Sequence, residues 1–198
     1  MNDPNVRELL ALSQTNVTSD PIQGYAFAIR AYNLTHQLSL INLSEPTARG
    51  EAAAKAGFRA EQANLDFDLV CRWIEHSLSV LPNDNQGNRE RVASYTLGGR
   101  ALSLHGLKVV LGERTLDSDQ QVSDIAKQAS NYFRAGELIL SSQHDKGARW
   151  DRYAAMHAHT WAIHEAALGD SSLAAGIALT GLWRSIRAAN EYQPNTEH

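Results

Sequence analysis

The stretch YTLGGRALSLHG, residues 95–106, places two adjacent glycines, Gly98 and Gly99, in the middle of an amphipathic helical pattern. A glycine inside a helix costs about 1 kcal/mol relative to alanine. Two in succession therefore indicate a backbone that must stay bare because a neighbouring helix or a ligand comes close. Small residues at crossings are typical of antiparallel helical stacks, so this stretch predicts a protein of packed helices.

Helix signals recur along the rest of the chain. No window shows the period-2 alternation that marks strands. Asp20, Asp66 and Asp170 stand where N-caps are expected, and Pro21 occupies a first helical position. These features predict an all-α fold of seven to eight antiparallel helices in stacked hairpins, with more than about 65% helix.

The length and the cysteine content bound the organisation. The 198 residues predict a single all-helical domain over 1–198, with 1–20 as an N-terminal extension and 192–198 as a frayed tail. The single cysteine, Cys71, lies in an apolar helical segment, so we expect a core residue and a reducing, cytoplasmic setting.

The charge and hydropathy patterns exclude two classes of partner. The formal net charge is −4 and no basic cluster is present, which argues against nucleic-acid binding. No segment reaches the roughly 18 apolar residues of a membrane span, so we expect no membrane partner.

Two helical hairpins are weakly similar to each other, and their residues resemble the tetratricopeptide repeat. The resemblance covers about residues 45–195. It rests on Leu97-Gly98 with Ala101 in one helix and on Leu182, Ile186, Ala189 and Pro194 in another. It implies stacked hairpins, either as a tetratricopeptide-like solenoid or as a helical bundle, in which Gly98 packs at a helix crossing. Gly99 would then point about 100° away and face an open concave groove. The alternative interpretation, which we favour, is that both glycines accommodate close helix packing.

One line of polar residues stands out on the predicted concave faces. Arginine, tyrosine and histidine provide directional donors and flat contact area, which suits a peptide or a small anionic ligand. The candidate ligand-binding residues are Arg91, Tyr95, Gly99, Arg152, Met156, His157, Thr160 and His164.

The histidines leave a metal-dependent alternative open. His157, His159 and His164 share one predicted helix but lack the i, i+3 or i, i+4 spacing of a metal pair. Glu137 and His144 have an E-x6-H spacing that resembles haem-oxygenase-like di-iron proteins. A di-iron site would also need further carboxylates and a second histidine, for which Asp151 and His157 are the candidates, and His144 lies at a predicted helix end beside a loop. We expect neither a metal nor another cofactor.

A second enzymatic alternative rests on Arg100 and His105. Their R-x4-H spacing resembles the HEPN-type ribonucleases, which are also all-helical. Five residues along a helix place the two side chains on different faces, and the chain lacks a basic surface for RNA.

The favoured prediction is a non-enzymatic, helical-repeat-like module that binds a partner protein, a peptide or a small ligand, with a homodimer as one arrangement. The alternative is a helical-bundle metal-dependent enzyme, di-iron oxygenase-like, or a HEPN-like ribonuclease. The helical stripes also predict a core, made of Trp73, Ile74, Leu78, Leu97, Leu102, Phe133, Leu138, Ile177, Leu182 and Ile186.

Overall fold

The computed structural model describes residues 5–16, 18–40, 46–84, 87–115, 121–143 and 147–191. Over these ranges the chain is 85% helical and contains no strand, which confirms the predicted fold class. The helices are α1 (Val6–Thr15), α2 (Pro21–Leu40), α3 (Pro46–Gln62), α4 (Phe67–Val80), α5 (Asn88–Val110), α6 (Val122–Ser141), α7 (Ala148–Leu168) and α8 (Ser171–Glu191).

Aspartate side chains cap three helices as the sequence predicts. Asp20 accepts a hydrogen bond from the backbone of Gln23 at the start of α2, and Asp66 accepts one from Leu69 at the start of α4. Asp170 accepts from the backbone of the first turn of α8. Each cap satisfies an N–H group that the helix leaves without a partner.

The chain divides into two compact units, Met1–Leu97 and Gly98–His198. The first unit contains α1 to α4 and the beginning of α5, and the second contains the end of α5 and α6 to α8. The prediction of a single domain stays a prediction.

The first unit is built on the alanine-rich helix α3. Its fully buried alanines allow close packing against the neighbouring helices; they are Ala52, Ala53, Ala56 and Ala60. The buried guanidinium of Arg59 donates to Ser13 of α1 at 3.1 Å and also bonds Gln14 and Gln62. Residues 1–20, expected to form an extension, therefore contain a helix that is packed into this unit.

The second unit is built around α7, against which α6 and α8 both pack. Helices α7 and α8 run antiparallel, because Asp151 near the start of α7 pairs with Arg187 near the end of α8 at 2.7 Å. Further along helices α7 and α8, a Cβ placed on Gly181 would lie 3.1 Å from the Cβ of Ala158. The glycine therefore lets the two backbones approach closely.

The predicted core is correct for most of its residues and wrong for one residue on α6 and two on α8. Among the predicted residues, Ile74, Leu102, Phe133 and Ile177 are buried, and Trp73, Leu78 and Leu97 are half-buried.

Leu138, Leu182 and Ile186 are instead 75%, 58% and 52% exposed, so their prediction as core residues is wrong. Helix α8 contacts α7 mainly through small residues, and its buried residues are Ala174, Ile177, Gly181 and Ala188. Leu182 follows Ile177 by five residues, which turns its side chain about 140° away from that face. The exposure of Leu182 and Ile186 also removes two of the core positions that the tetratricopeptide resemblance assigned to this helix.

Candidate functional site

The close approach at the glycine pair is made by an aromatic side chain. A Cβ placed on Gly99 would lie 2.7 Å from two ring atoms of Phe133, which is fully buried. Gly98 is buried as well. The expectation that Gly99 faces an open groove is therefore wrong, because the ring of Phe133 on α6 occupies that space.

His157, predicted to face a ligand, is fully buried beside the same ring. Its Nε2–H donates to the carbonyl oxygen of Phe133 at 2.9 Å, and a Cβ on Gly136 would lie 2.6 Å from the imidazole. Burial lowers the pKa of His157, although the hydrogen bond to Phe133 opposes this shift. A neutral, enclosed imidazole of this kind holds α6 and α7 together and is not exposed to a ligand.

His164 is 1% exposed and lies between two hydroxyl groups. The Ser103 hydroxyl donates to the carbonyl oxygen of Gly99, and its oxygen lies 2.7 Å from Nδ1 of His164. On the other side of the ring, Nε2 lies 3.1 Å from the hydroxyl of Ser130. Burial lowers the pKa of His164, which favours the neutral ring.

The carboxylate of Glu165 completes this network. Burial acts to raise the pKa of Glu165, but hydrogen bonds from the backbone of Asp170, from Ser130 and from Trp161 outweigh it and lower the pKa. Each of these donors stabilises the ionised carboxylate. The network ties the end of α7 to α6 and to the start of α8, which is a structural role.

The other predicted ligand-binding residues lie in two different units. Arg91 and Tyr95 belong to the first unit and contact each other, with the guanidinium 3.3 Å from the phenol oxygen. Arg152 and Met156 are exposed on α7 in the second unit, and Thr160 is half-buried. Their role in ligand binding stays a prediction.

A groove in the second unit brings two of the predicted residues together. It has a volume of about 320 Å³ and lies between the end of α5 and α7. Its walls are formed by Arg100, Ser103, Leu104, Leu107, His159, Thr160, Ile163 and His164. Leu104, Leu107 and Ile163 contribute the apolar part of the walls, and Arg100, His159 and His164 contribute nitrogen-containing side chains.

The metal and ribonuclease alternatives gain no support from the described geometry. In the ranges that the structure describes, no three His, Cys, Asp or Glu side chains come together as metal ligands. His144, which the E-x6-H hypothesis needs, lies outside the described residues. Arg100 and His105 both lie in the continuous helix α5, so their side chains leave it about 140° apart.

The most distinctive surface in the second unit is the side of α8 that faces away from α7. Its centre is formed by four large side chains at i, i+3, i+4 and i+7 spacing, which place them on one side of the helix. We call this surface the α8 outer face; it consists of Leu179 (68% exposed), Leu182 (58%), Trp183 (54%) and Ile186 (52%). With Ile177 and alanines on its buried side, α8 is apolar on both sides, a pattern that is typical of buried helices.

The two arginines of α8 that lie beside this face are paired within the unit. Arg184 binds the carboxylate of Glu137 on α6 through two hydrogen bonds of 3.0 and 2.7 Å. Arg187 binds Asp151, and its guanidinium also lies 5.0 Å from the ring centre of Trp183. The α8 outer face therefore presents apolar area without an unbalanced charge at its centre.

The sequence analysis missed the α8 outer face because it assigned Leu182 and Ile186 to the core together with Ile177. Residue size gave a partial signal, since Ala174, Gly181 and Ala188 lie on the buried side and Leu179 and Trp183 on the other, although Gly176 is also on the exposed side. Small residues mark the side on which a neighbouring backbone approaches, as Gly181 does here against Ala158.

Comparison with known proteins returned no matching family model, no similar curated protein and no similar solved structure. Within the described residues, none of the helices combines the length and the hydropathy that crossing a bilayer requires.

Proposed function

We propose that this protein is a non-enzymatic helical module that associates with protein through the α8 outer face. The observation that carries the proposal is the exposure of Leu179, Leu182, Trp183 and Ile186 on one side of a single helix. Scattered exposed apolar residues are normal on a protein surface, but a contiguous patch is typical of interaction sites.

The composition of the face favours protein over a small ligand. Interface cores are depleted in charged residues and enriched in aromatic residues, and Trp183 provides such an anchor beside Leu179. Small-molecule sites are concave, whereas the α8 outer face is the convex side of a helix. A convex apolar helix face is covered when it packs against a helix or into a groove of a partner protein.

The predictions of a tetratricopeptide-like module and of a cytoplasmic setting are part of this proposal. Neighbouring helices pack in pairs, which is compatible with a tetratricopeptide-like binding module, and here the binding surface is on α8. The predicted reducing, cytoplasmic setting belongs to the same proposal, because Cys71 is the one cysteine of the chain.

The proposal is tested by site-specific photo-crosslinking in the cells that express the protein. A benzophenone amino acid replaces Leu182 on the face or, as the matched control, Gln128, which is exposed on α6. We expect a discrete protein adduct from position 182 that disappears when Leu179→Glu is also present, and no such adduct from position 128. The absence of an adduct from position 182, or equal adducts from both positions, would overturn the proposal.

A further inference from the structure

We infer that the partner on the α8 outer face is a second copy of this chain, with α8 of one copy antiparallel to α8 of the other across a twofold axis. This inference rests on the proposed function and names the partner of the same surface. The observation behind it is that the face contains both a large projection and the space that would receive it.

The projection is Trp183 and the space is at Gly176. Gly176 is exposed, and a Cβ placed on it would have no atom within 4 Å. The two residues are seven apart, so they lie within about 20° of each other around the helix and about 10.5 Å apart along it. A twofold axis that passes between residues 179 and 180 sets Trp183 of each copy opposite Gly176 of the other, so both contacts form at once.

The charges around the face also favour a copy of the same chain. A twofold interface places every group near its own counterpart, so an unbalanced charge on the face would meet a like charge. Arg184 and Arg187 beside the face are each paired with a carboxylate of their own unit. Two faces can therefore approach without like-charge repulsion, and a partner selected by opposite charge is not indicated.

The exposed area sets the expected strength of the association. An aromatic side chain buries about 150–250 Å² in full and leucine or isoleucine somewhat less, so four such side chains that are about half exposed offer at most roughly 400 Å² per copy. A standard interface takes about 800 Å² from each partner, and smaller ones are typical of reversible complexes. We therefore expect a dimer that forms and dissociates with protein concentration in the micromolar range.

A membrane surface is the less favoured partner. Helices that lie in a bilayer interface carry lysine or arginine on a polar side opposite the apolar one. The opposite side of α8 is buried against α7 through Ala174, Ile177 and Ala188, and its two arginines are ion-paired.

The test is sedimentation equilibrium of the full chain over a range of protein concentrations. Gly176→Leu fills the receiving space and Trp183→Ala removes the projection, and we expect each to weaken the dimer by about tenfold or more. The matched control is Gln128→Leu, which adds an apolar side chain at an exposed position on α6, away from the α8 outer face. The control should leave the dissociation constant unchanged.

Gly176→Leu separates shape complementarity from general hydrophobic association. It adds apolar area and replaces a helix-destabilising glycine, so general association would strengthen rather than weaken. A dimer that is unchanged or tighter in Gly176→Leu overturns the inference.

Two further outcomes separate this inference from the proposed function. A chain that stays monomeric, with an adduct from position 182 to a different protein, overturns the second copy as partner and keeps the proposed function. Co-sedimentation with phosphatidylcholine vesicles that Leu179→Glu abolishes, without a protein adduct from position 182, overturns both.

Discussion

Replacing Gly99 with alanine should destabilise the protein, although alanine is the better helix former. The new Cβ would lie 2.7, 2.7 and 2.9 Å from three ring atoms of Phe133. Carbon atoms pack best at about 3.5–4.0 Å, so roughly 1 Å of separation must be recovered. Something in the centre of the second unit has to move.

The ring of Phe133 has little room to move because three other aromatic rings surround it. His157, Trp161 and His164 lie with their ring centres 5.7, 6.3 and 5.5 Å from that of Phe133. Overpacking of a core costs about 1–3 kcal/mol, whereas alanine gains up to about 1 kcal/mol in helix propensity. We therefore expect a net loss of about 1–2 kcal/mol in the free energy of unfolding.

The assay is urea unfolding followed by circular dichroism at low micromolar protein, with Gly176→Ala as the matched control. Both glycines lie inside helices, but a Cβ on Gly176 meets nothing within 4 Å. The control should therefore gain up to about 1 kcal/mol. In a Phe133→Leu background, Gly99→Ala should lose most of its cost. A Gly99→Ala variant as stable as the wild type would refute the packing that we describe around Phe133.

Three further predictions concern other parts of the second unit and α4. The free energy of unfolding should decrease as the pH falls below about 6.5, because His157 takes up a proton in the unfolded chain but not when it is buried with a lowered pKa. In urea titrations, the difference in stability between wild type and His157→Gln should therefore shrink over the same pH range. A constant difference would contradict this. Burial, with a smaller contribution from Glu75 and nearby aspartates, raises the pKa of Cys71 to about 12. Iodoacetamide at pH 8.5 should therefore label the native thiol about a thousandfold more slowly than the thiol of the unfolded chain. Equal labelling rates would contradict the burial of Cys71. In the same urea assay, Leu182→Ala should lower the free energy of unfolding by less than about 1 kcal/mol and Phe133→Ala by about 3–5 kcal/mol. The reverse order would show that Leu182 is a core residue, as the sequence predicts.

The sequence was sufficient to predict the helices because their signals are local. A cap such as Asp66 bonds a backbone group three residues away, and the apolar spacing of a helix repeats within two turns. These short-range patterns determine where a helix begins and which residues it contains. They do not determine which neighbour each side of the helix meets.

The candidate site could not be predicted in the same way because its contacts are long-range. The glycine pair indicated a close approach, but the approaching group, Phe133, lies 34 residues after Gly99 in the chain. His157 and His164 looked accessible from their spacing, and both are enclosed by groups on other helices, among them Ser103 and Ser130.

The outer face of α8 was missed for a related reason. Both sides of the helix are apolar, so periodicity alone gives two possible buried sides. The sequence analysis placed Leu182 and Ile186 in the core. The contact with α7 decides between them, because Gly181 lies where α7 comes closest.

The most direct test of the central claim, that α8 pairs with α8 of a second copy, is the pattern of disulfide cross-links along its outer face. In a Cys71→Ala background, single cysteines replace Leu179 or Asn190, both exposed on the same side of the helix. In the antiparallel pair the two copies of position 179 are offset by about 1.5 Å along the axis, and those of position 190 by about 30 Å. A disulfide requires Cα atoms within about 7 Å. The account predicts a cross-linked dimer from Leu179→Cys and none from Asn190→Cys, and equal cross-linking at both positions, or none at position 179, would contradict it.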